Sequence, residues 1–251
     1  MKYKTKTNYL KQDISKGTYL KAVLQGTIII MGVSYIFYGT FLGAILLSPY
    51  LIRYVKSWEK QMLQKKKHLF QLQFKEAIQS LSAALNVGYS VENAMRETFR
   101  DLQLLYKKED FIMKEFRYMI RQLEMNLPVE TIWKEFANRT EDEEVTLFVT
   151  VFAMAKRTGG DMIGIIRNAV SHISEKIEVK REIDTIMTAK RLEFRIMSVV
   201  PFVMICYLKM SFPDFMEVLY GNVFGIILMT VCLLIYVGAY ELGQRIVEIE
   251  V

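Results

Sequence analysis

The chain of 251 residues is 52% hydrophobic and 24% charged, with a formal net charge of +6 and a mean hydropathy of +0.17. This composition is too apolar for an ordinary soluble protein and too charged for one that lies wholly in a bilayer, so apolar segments must alternate with a water-facing domain. Because basic residues flank the apolar runs, the positive charge indicates a membrane surface as a partner and argues against nucleic acid.

The amino-terminal part predicts a basic cytoplasmic segment, residues 1–21, and then a membrane hairpin over 22–56. No charged residue occurs from 22 to 52. One straight helix over this run would measure roughly 46 Å, against a hydrocarbon core of about 30 Å. A single span would also leave one of the two basic flanks outside the cell, whereas a hairpin keeps both inside. We therefore predict two spans, at about 20–37 and 39–56, with one span as the alternative.

A cytoplasmic helical domain is predicted at about 70–190. Apolar residues recur there at helical spacing, and no stretch alternates as a half-buried strand would. The apolar faces of the first five helices consist of Phe74, Ile78, Leu81, Leu85, Val91, Ala94, Met95, Phe111, Phe116, Met119, Ile120, Leu123, Ile132, Trp133, Phe136, Val145, Phe148, Val149 and Phe152. A sixth helix follows, with an apolar stripe from Met162 to Ile173.

Three helix corners share a pattern, in NVGYSVENAM (86–95), EMNLPVETIW (124–133) and RTGGDMIGII (157–166). Each has a residue suited to positive φ two positions before a helix-starting residue. The corner residues are Gly88, Ser90, Asn126, Pro128, Gly159, Gly160 and Asp161. The alignment marks either an internal repeat or the general preference of helical hairpins for a positive-φ residue followed by a cap. Pro128 is expected in the first turn of its helix.

The predicted fifth helix begins beside four consecutive acidic residues. Thr140 and Glu143 form a T-x-x-E capping box, which predicts the helix start at that point. The acidic run 141–144 would hold a cation or, more simply, stabilise the positive end of the helix dipole.

A second membrane hairpin is predicted over 192–240. Its spans lie at about 192–211 and 218–240, joined by a near-neutral outer loop around Pro213, and the tail 241–251 returns to the cytoplasm. The long helix that enters the first of these spans carries cations, which indicate contact with anionic lipid or, as an alternative, a partner docking site. These cations are Lys180, Arg181, Lys190, Arg191 and Arg195.

No catalytic pattern stands out in the chain. The glycine pair 159–160 is followed by an aspartate, which would repel phosphate, and no P-loop motif occurs. His68 and His172 have no pattern of neighbouring ligands, and Cys206 and Cys232 lie in apolar runs as reduced packing residues. Ionisable residues are scarce in the predicted spans, which argues against a transporter. We predict no enzymatic activity, cofactor or metal; a transporter or channel and a membrane-tethered enzyme or sensor remain the alternatives.

Four segments carry a family resemblance: LQFKEAIQSLSAALNVGYSVENAM (72–95), FAMAKRTGGDMIGIIRNA (152–169), ISEKIEVKREIDTIMTAKRLEFRIM (173–197) and the terminal run 201–250. In this order, between membrane hairpins, they resemble the type II secretion system F-domain family. The resemblance is to TadB/TadC-like inner-membrane platform proteins of the tight-adherence (Flp) pilus.

The resemblance implies an all-α membrane protein, with two transmembrane hairpins flanking a cytoplasmic six-helix bundle in the bacterial inner membrane. It also implies a non-enzymatic role, in which a hexameric secretion ATPase is coupled to the extraction and assembly of pilins or prepilins. The chain has room for one copy of the domain, whereas two-domain members carry it twice. Within the family, one copy implies a homo-oligomer or a sister platform protein as partner. A platform of a competence-type pseudopilus is the alternative within the family.

Overall fold

The structure, a computed structural model, describes residues 16–41, 43–158 and 161–247. Over these ranges the chain forms nine helices and no strand, which confirms the predicted all-α fold. The helices are α1 Lys16–Tyr38, α2 Gly43–Asn86, α3 Val91–Leu105, α4 Phe111–Glu124, α5 Val129–Thr140, α6 Glu143–Thr158, α7 Met162–Ser211, α8 Pro213–Gly221 and α9 Val223–Val247.

The chain divides into two compact units. The described part of the first unit is 61–158 with 161–179, and that of the second is 16–41, 43–60 and 180–247. The first unit begins and ends somewhat earlier than the domain predicted at 70–190. Helices α2 and α7 each contribute residues to both units.

The first unit is a bundle of six helical segments: the end of α2, the whole of α3 to α6, and the start of α7. Its centre is an aromatic cluster in which the Trp133 ring lies 5.0 Å from Phe148 and 5.7 Å from Phe136, centroid to centroid. The apolar faces predicted for the first five helices are buried in this core, with three members only half-buried at its edge. Those three are Val91, Phe111 and Val149.

The predicted capping box at Thr140 is wrong. Thr140 is the last residue of α5, and its buried hydroxyl donates to a carbonyl of that helix. Glu141 follows in the left-handed conformation at φ 48°, and Asp142 caps α6 instead. The Asp142 Oδ1 accepts from the backbone N–H of Glu144 at 3.0 Å and of Val145 at 3.4 Å. Burial of the last turn of α5 prolongs that helix and moves the cap two residues along.

In the second unit, α1 and α2 form a hairpin. Helix α1 ends at Tyr38, and Gly39 adopts a φ of +65°, which an L side chain rarely tolerates. The side chains of Tyr54 and Leu51 lie 3.0 and 3.6 Å from the position that a Cβ on Gly26 would occupy. The chain therefore folds back on itself, as the hairpin interpretation requires, although the residues that cross the bilayer stay a prediction.

Three of the described helices are long and apolar enough to cross a bilayer: Gly17–Tyr38, Met162–Ser211 and Val223–Val247. The predicted second span is not among them. Its helix α2 has only a short uncharged stretch before Arg53, and Lys56, Glu59 and Lys60 follow within two turns. A crossing there would need the Arg53 and Lys56 side chains to extend to the interface.

The connection predicted around Pro213 is helical, because these residues form the short helix α8; its position on the outer side stays a prediction. Pro213 occupies the first helical position, where its missing N–H costs no hydrogen bond. The next helix, α9, consequently begins at Val223 rather than near 218. It returns along α7: the Tyr236 hydroxyl donates to the Ser198 carbonyl at 2.7 Å.

Candidate partner interface

The first two helix corners have the predicted backbone geometry. Gly88 adopts a φ of +99°, and the Ser90 Oγ accepts from the backbone N–H of Asn93 at 3.3 Å. Asn126 takes the corresponding left-handed position with a φ of 57°. Pro128 lies one position before α5 rather than in its first turn, because its carbonyl accepts the first backbone hydrogen bonds of that helix.

The third corner is described only from Asp161 onward, and Gly159 and Gly160 lie outside the described residues. The Asp161 Oδ1 accepts from the backbone N–H of Gly164 at 2.9 Å, so this aspartate caps α7 as expected. A Cβ on Gly164 would collide with the same carboxylate. Gly164 is therefore part of this cap, a role that the sequence pattern did not reveal.

The antiparallel order of the helices brings all three corners to one end of the first unit. The Arg167 Nε donates to the Asn86 Oδ1 at 3.2 Å, which joins the start of α7 to the end of α2. The Lys156 Nζ lies 2.8 Å from Glu130 Oε1, which joins the end of α6 to the start of α5. The hydrogen bond from Lys156 lowers the pKa of Glu130. This pair therefore stabilises the corners at neutral pH, and its contribution is lost as the pH falls through that lowered value.

Apolar side chains are exposed at these corners, where turns normally carry polar residues. Val87 is 79% exposed, Met125 65%, Tyr89 48% and Leu127 37%. Each flanks a left-handed residue, so the backbone geometry of the corner holds it outward. Because the two corners lie at one end of the first unit, these four side chains are candidates for contact with another protein.

Acidic residues of the run 141–144, at the start of α6, make contacts within the first unit. The Gln71 Nε2 donates to the Asp142 Oδ2 at 3.0 Å, and the Lys176 Nζ lies 2.9 Å from the buried Glu144 Oε1. The hydrogen bond from Lys176 to Glu144 raises the pKa of the lysine. No group of three His, Cys, Asp or Glu residues able to hold a metal ion occurs in the described part of the chain. These contacts join α2, α6 and α7, so the run acts as a helix cap and an ion-pair partner.

The five cations predicted on α7 all lie in the second unit, and they are exposed or half-buried. Two of them pair with acidic residues of the same helix: Lys190 with Glu193, and Arg191 with Asp184, each at 2.9 Å. Lys180, Arg181 and Arg195 complete the set. Pairs along one helix face are typical of a solvated or headgroup-level surface. Contact of this set with lipid or with a partner stays a prediction.

Two open grooves lie in the second unit. One, of about 480 Å³, follows a single apolar face of α7 from Leu192 to Met204, with Arg195 as its one charged member. The other, of about 360 Å³, has Tyr38, Tyr50, Arg53 and Glu241 among its polar residues. The Arg53 guanidinium is 3.0 Å from the Glu241 carboxylate, so the charges of the second groove neutralise each other.

Sequence reasoning missed a basic face on α4. Lys114, Arg117 and Arg121 recur at helical spacing, opposite the residues that α4 buries, and none of them has an ion pair among the described residues. The spacing i, i+3, i+7 was visible in the sequence. The exposure and the lack of acidic partners depend on neighbouring helices, and so only the structure reveals them.

Comparison with known proteins gives one match. The sequence model of the family described as Type II secretion system (T2SS), protein F matches residues 77–208, more than half of the chain. The match covers the three corners around Gly88, Asn126 and Asp161, and most of α7. No curated protein and no solved structure matches the chain.

Proposed function

The chain belongs to the family of type II secretion system protein F, and from this membership we propose that it is the assembly platform of a Tad/Flp-type pilus. Membership of this family implies an inner-membrane platform component of a secretion or pilus system. Three apolar helices of sufficient length fit a multi-pass membrane protein. In the proposed role it performs no catalysis itself. It couples a cytoplasmic hexameric secretion ATPase to the extraction of pilins from the bilayer and their addition to the filament.

The observation that supports this role best is the helical bundle of the matched region, which apolar helices precede and follow along the chain. The first unit offers exposed apolar side chains at its helix corners and exposed basic ones on the outer face of α4. Such surfaces suit contact with other proteins.

The number of helical bundles in one chain bears on how many chains the platform needs. The first unit holds one six-helix bundle. A platform that must contact a ring-shaped ATPase needs several such bundles around one axis. We therefore propose that the chain forms a homo-oligomer or pairs with a sister platform protein.

Reporter fusions test the proposed topology. We expect a reporter inserted in the exposed α3–α4 connection, residues 107–110, to report the cytoplasm, because the bundle is proposed to lie there. A reporter fused after Asp214, in the first turn of α8, should report the outer side. A fusion after Val247 serves as a second cytoplasmic point. Paired phosphatase and fluorescent-protein fusions measure each location, and inverted signals would contradict the topology.

Gene deletion with co-purification tests the role. We expect the deletion strain to lose filament assembly or pseudopilus-dependent secretion, and the wild-type gene to restore it. The secretion ATPase of the same system should co-purify with the detergent-solubilised chain from the complemented strain. A deletion strain that assembles normal filaments and secretes normally would show that the chain has another role.

A further inference from the structure

The outer face of α4 combines basic and apolar side chains in one stripe. Lys114, Tyr118, Arg121 and Met125 follow one another at intervals of four, three and four residues, and Arg117 lies beside them. We call these five residues the α4 stripe. Met125 is 65% exposed and Tyr118 36%. Lys114 and Arg121 are also exposed, and Arg117 is half-buried.

The cations of the α4 stripe form no ion pair within the described part of the chain. The acidic residue of α4 that lies toward α5, Glu115, is buried and bound to Arg139, whose Nη2 is 2.7 Å from its Oε2. Lys114, Arg117 and Arg121 have no ion pair within the described ranges. Like charges three or four residues apart repel each other along a helix. The arrangement of three within two turns therefore destabilises α4 slightly, and no ion pair within the described ranges offsets this repulsion.

The residue types of the stripe indicate a protein partner. Arginine, tyrosine and methionine are enriched in protein–protein interfaces. Arginine and tyrosine combine large contact area with directional polar groups, and methionine adds a flexible apolar side chain. The Tyr118 ring is also held in place, since the Arg139 guanidinium carbon lies 4.5 Å from its centroid. A rigid aromatic side chain between unpaired cations costs little entropy on binding.

The positive charge of the α4 stripe favours an acidic partner over a second copy of this chain. A second copy docked face to face would bring the basic residues of the two stripes together, which like-charge repulsion opposes. We propose that the α4 stripe is a docking surface for an acidic segment of a partner protein, one that presents carboxylates at helical spacing beside an apolar side chain. We expect this partner to belong to the same secretion machine, and only that expectation rests on the proposed function.

A triple charge reversal tests the stripe. The stripe variant carries Lys114→Glu, Arg117→Glu and Arg121→Glu. The control variant carries Arg96→Glu, Lys107→Glu and Lys108→Glu, which reverse three other exposed cations of the first unit. A neutral variant, with glutamine at the three stripe positions, covers the case in which the reversal impairs folding. Circular dichroism and thermal unfolding check that the variants fold.

The probe is a fluorescein-labelled helical peptide with glutamates at i, i+3 and i+7 and one leucine, titrated against the full chain in phosphatidylcholine nanodiscs. We expect the stripe variant to weaken binding about tenfold or more, the control variant to leave it within about twofold, and added salt to weaken it. Equal binding by the wild type and the neutral variant would overturn the proposal. Equal weakening of peptide binding by the control variant would also overturn it. Loss of peptide binding in nanodiscs that include phosphatidylglycerol would overturn it too, because the stripe would then face lipid.

Suppressor genetics identifies the partner in cells. We expect the stripe variant to lose assembly and the control variant to keep it, with suppressors that change an acidic residue of another protein to a basic one. Suppressors confined to lipid synthesis or to this chain would overturn the proposal. If the deletion strain has no assembly defect, the proposed function fails while the peptide titration still stands. If the deletion strain is defective and the stripe variant is not, the stripe alone fails.

Discussion

Replacing Trp133 by alanine is expected to destabilise the first unit by about 3–5 kcal/mol, the usual cost of deleting a large aromatic side chain from a packed core. Trp133 is fully buried and contacts aromatic rings of α4, α5 and α6. The resulting cavity would face helices that are fixed at their corners and cannot collapse into it. For a unit of this size we expect the thermal midpoint to fall by about 10 °C or more. Thermal unfolding of the full chain, followed by circular dichroism, measures the change.

The matched control is Trp133→Phe. The indole Nε1 of Trp133 is buried and has no hydrogen-bond partner in the described structure. Phenylalanine removes this unsatisfied donor and keeps most of the ring, so the two effects offset each other. We expect a much smaller loss than for alanine. Equal losses in the two variants would show that the core depends on a hydrogen bond to the indole and not on ring volume.

Replacing Arg139 by methionine is expected to destabilise the same unit by about 3–5 kcal/mol, because the carboxylate of Glu115 would stay buried without its cation. The Arg139 Nε and Nη2 both donate to the Glu115 Oε2, at 2.9 and 2.7 Å. The side chains are only 14% and 7% exposed, so water cannot replace the lost partner. Chemical denaturation of the full chain in detergent, with hydrogen exchange in α4 and α5, measures the loss.

Two further variants separate the charge effect from packing. The double variant Glu115→Leu with Arg139→Met removes both charges, and we expect it to recover most of the stability. Arg100→Met breaks the exposed pair with Glu97, whose atoms are 3.2 Å apart, and should change stability very little. If the double variant were as unstable as Arg139→Met alone, packing by the arginine stem and its contact with Tyr118 would be the cause.

The sequence alone determined the class of the protein and most of its local structure. Helical periodicity identified the apolar faces that form the core of the first unit, because a helix can bury only the residues that share one side. Gly88, Ser90 and Asp161 were recognisable because their roles depend on backbone geometry within a few residues. The family resemblance needed only the order of such segments, and the match over residues 77–208 confirms it at the level of the family.

The tertiary structure decided what depends on contacts between distant residues. Thr140 was the predicted cap of α6, but it is buried in the last turn of α5, and Asp142 caps α6 instead. The residues around Pro213 were polar enough for a loop, yet they form a helix. The α4 stripe depends on the pairing of Glu115 with Arg139, which leaves the neighbouring cations without that carboxylate. A charge pattern in the sequence does not reveal such pairing. Local patterns therefore specify helices and caps, whereas the fold decides which faces, charges and apolar groups remain for a partner.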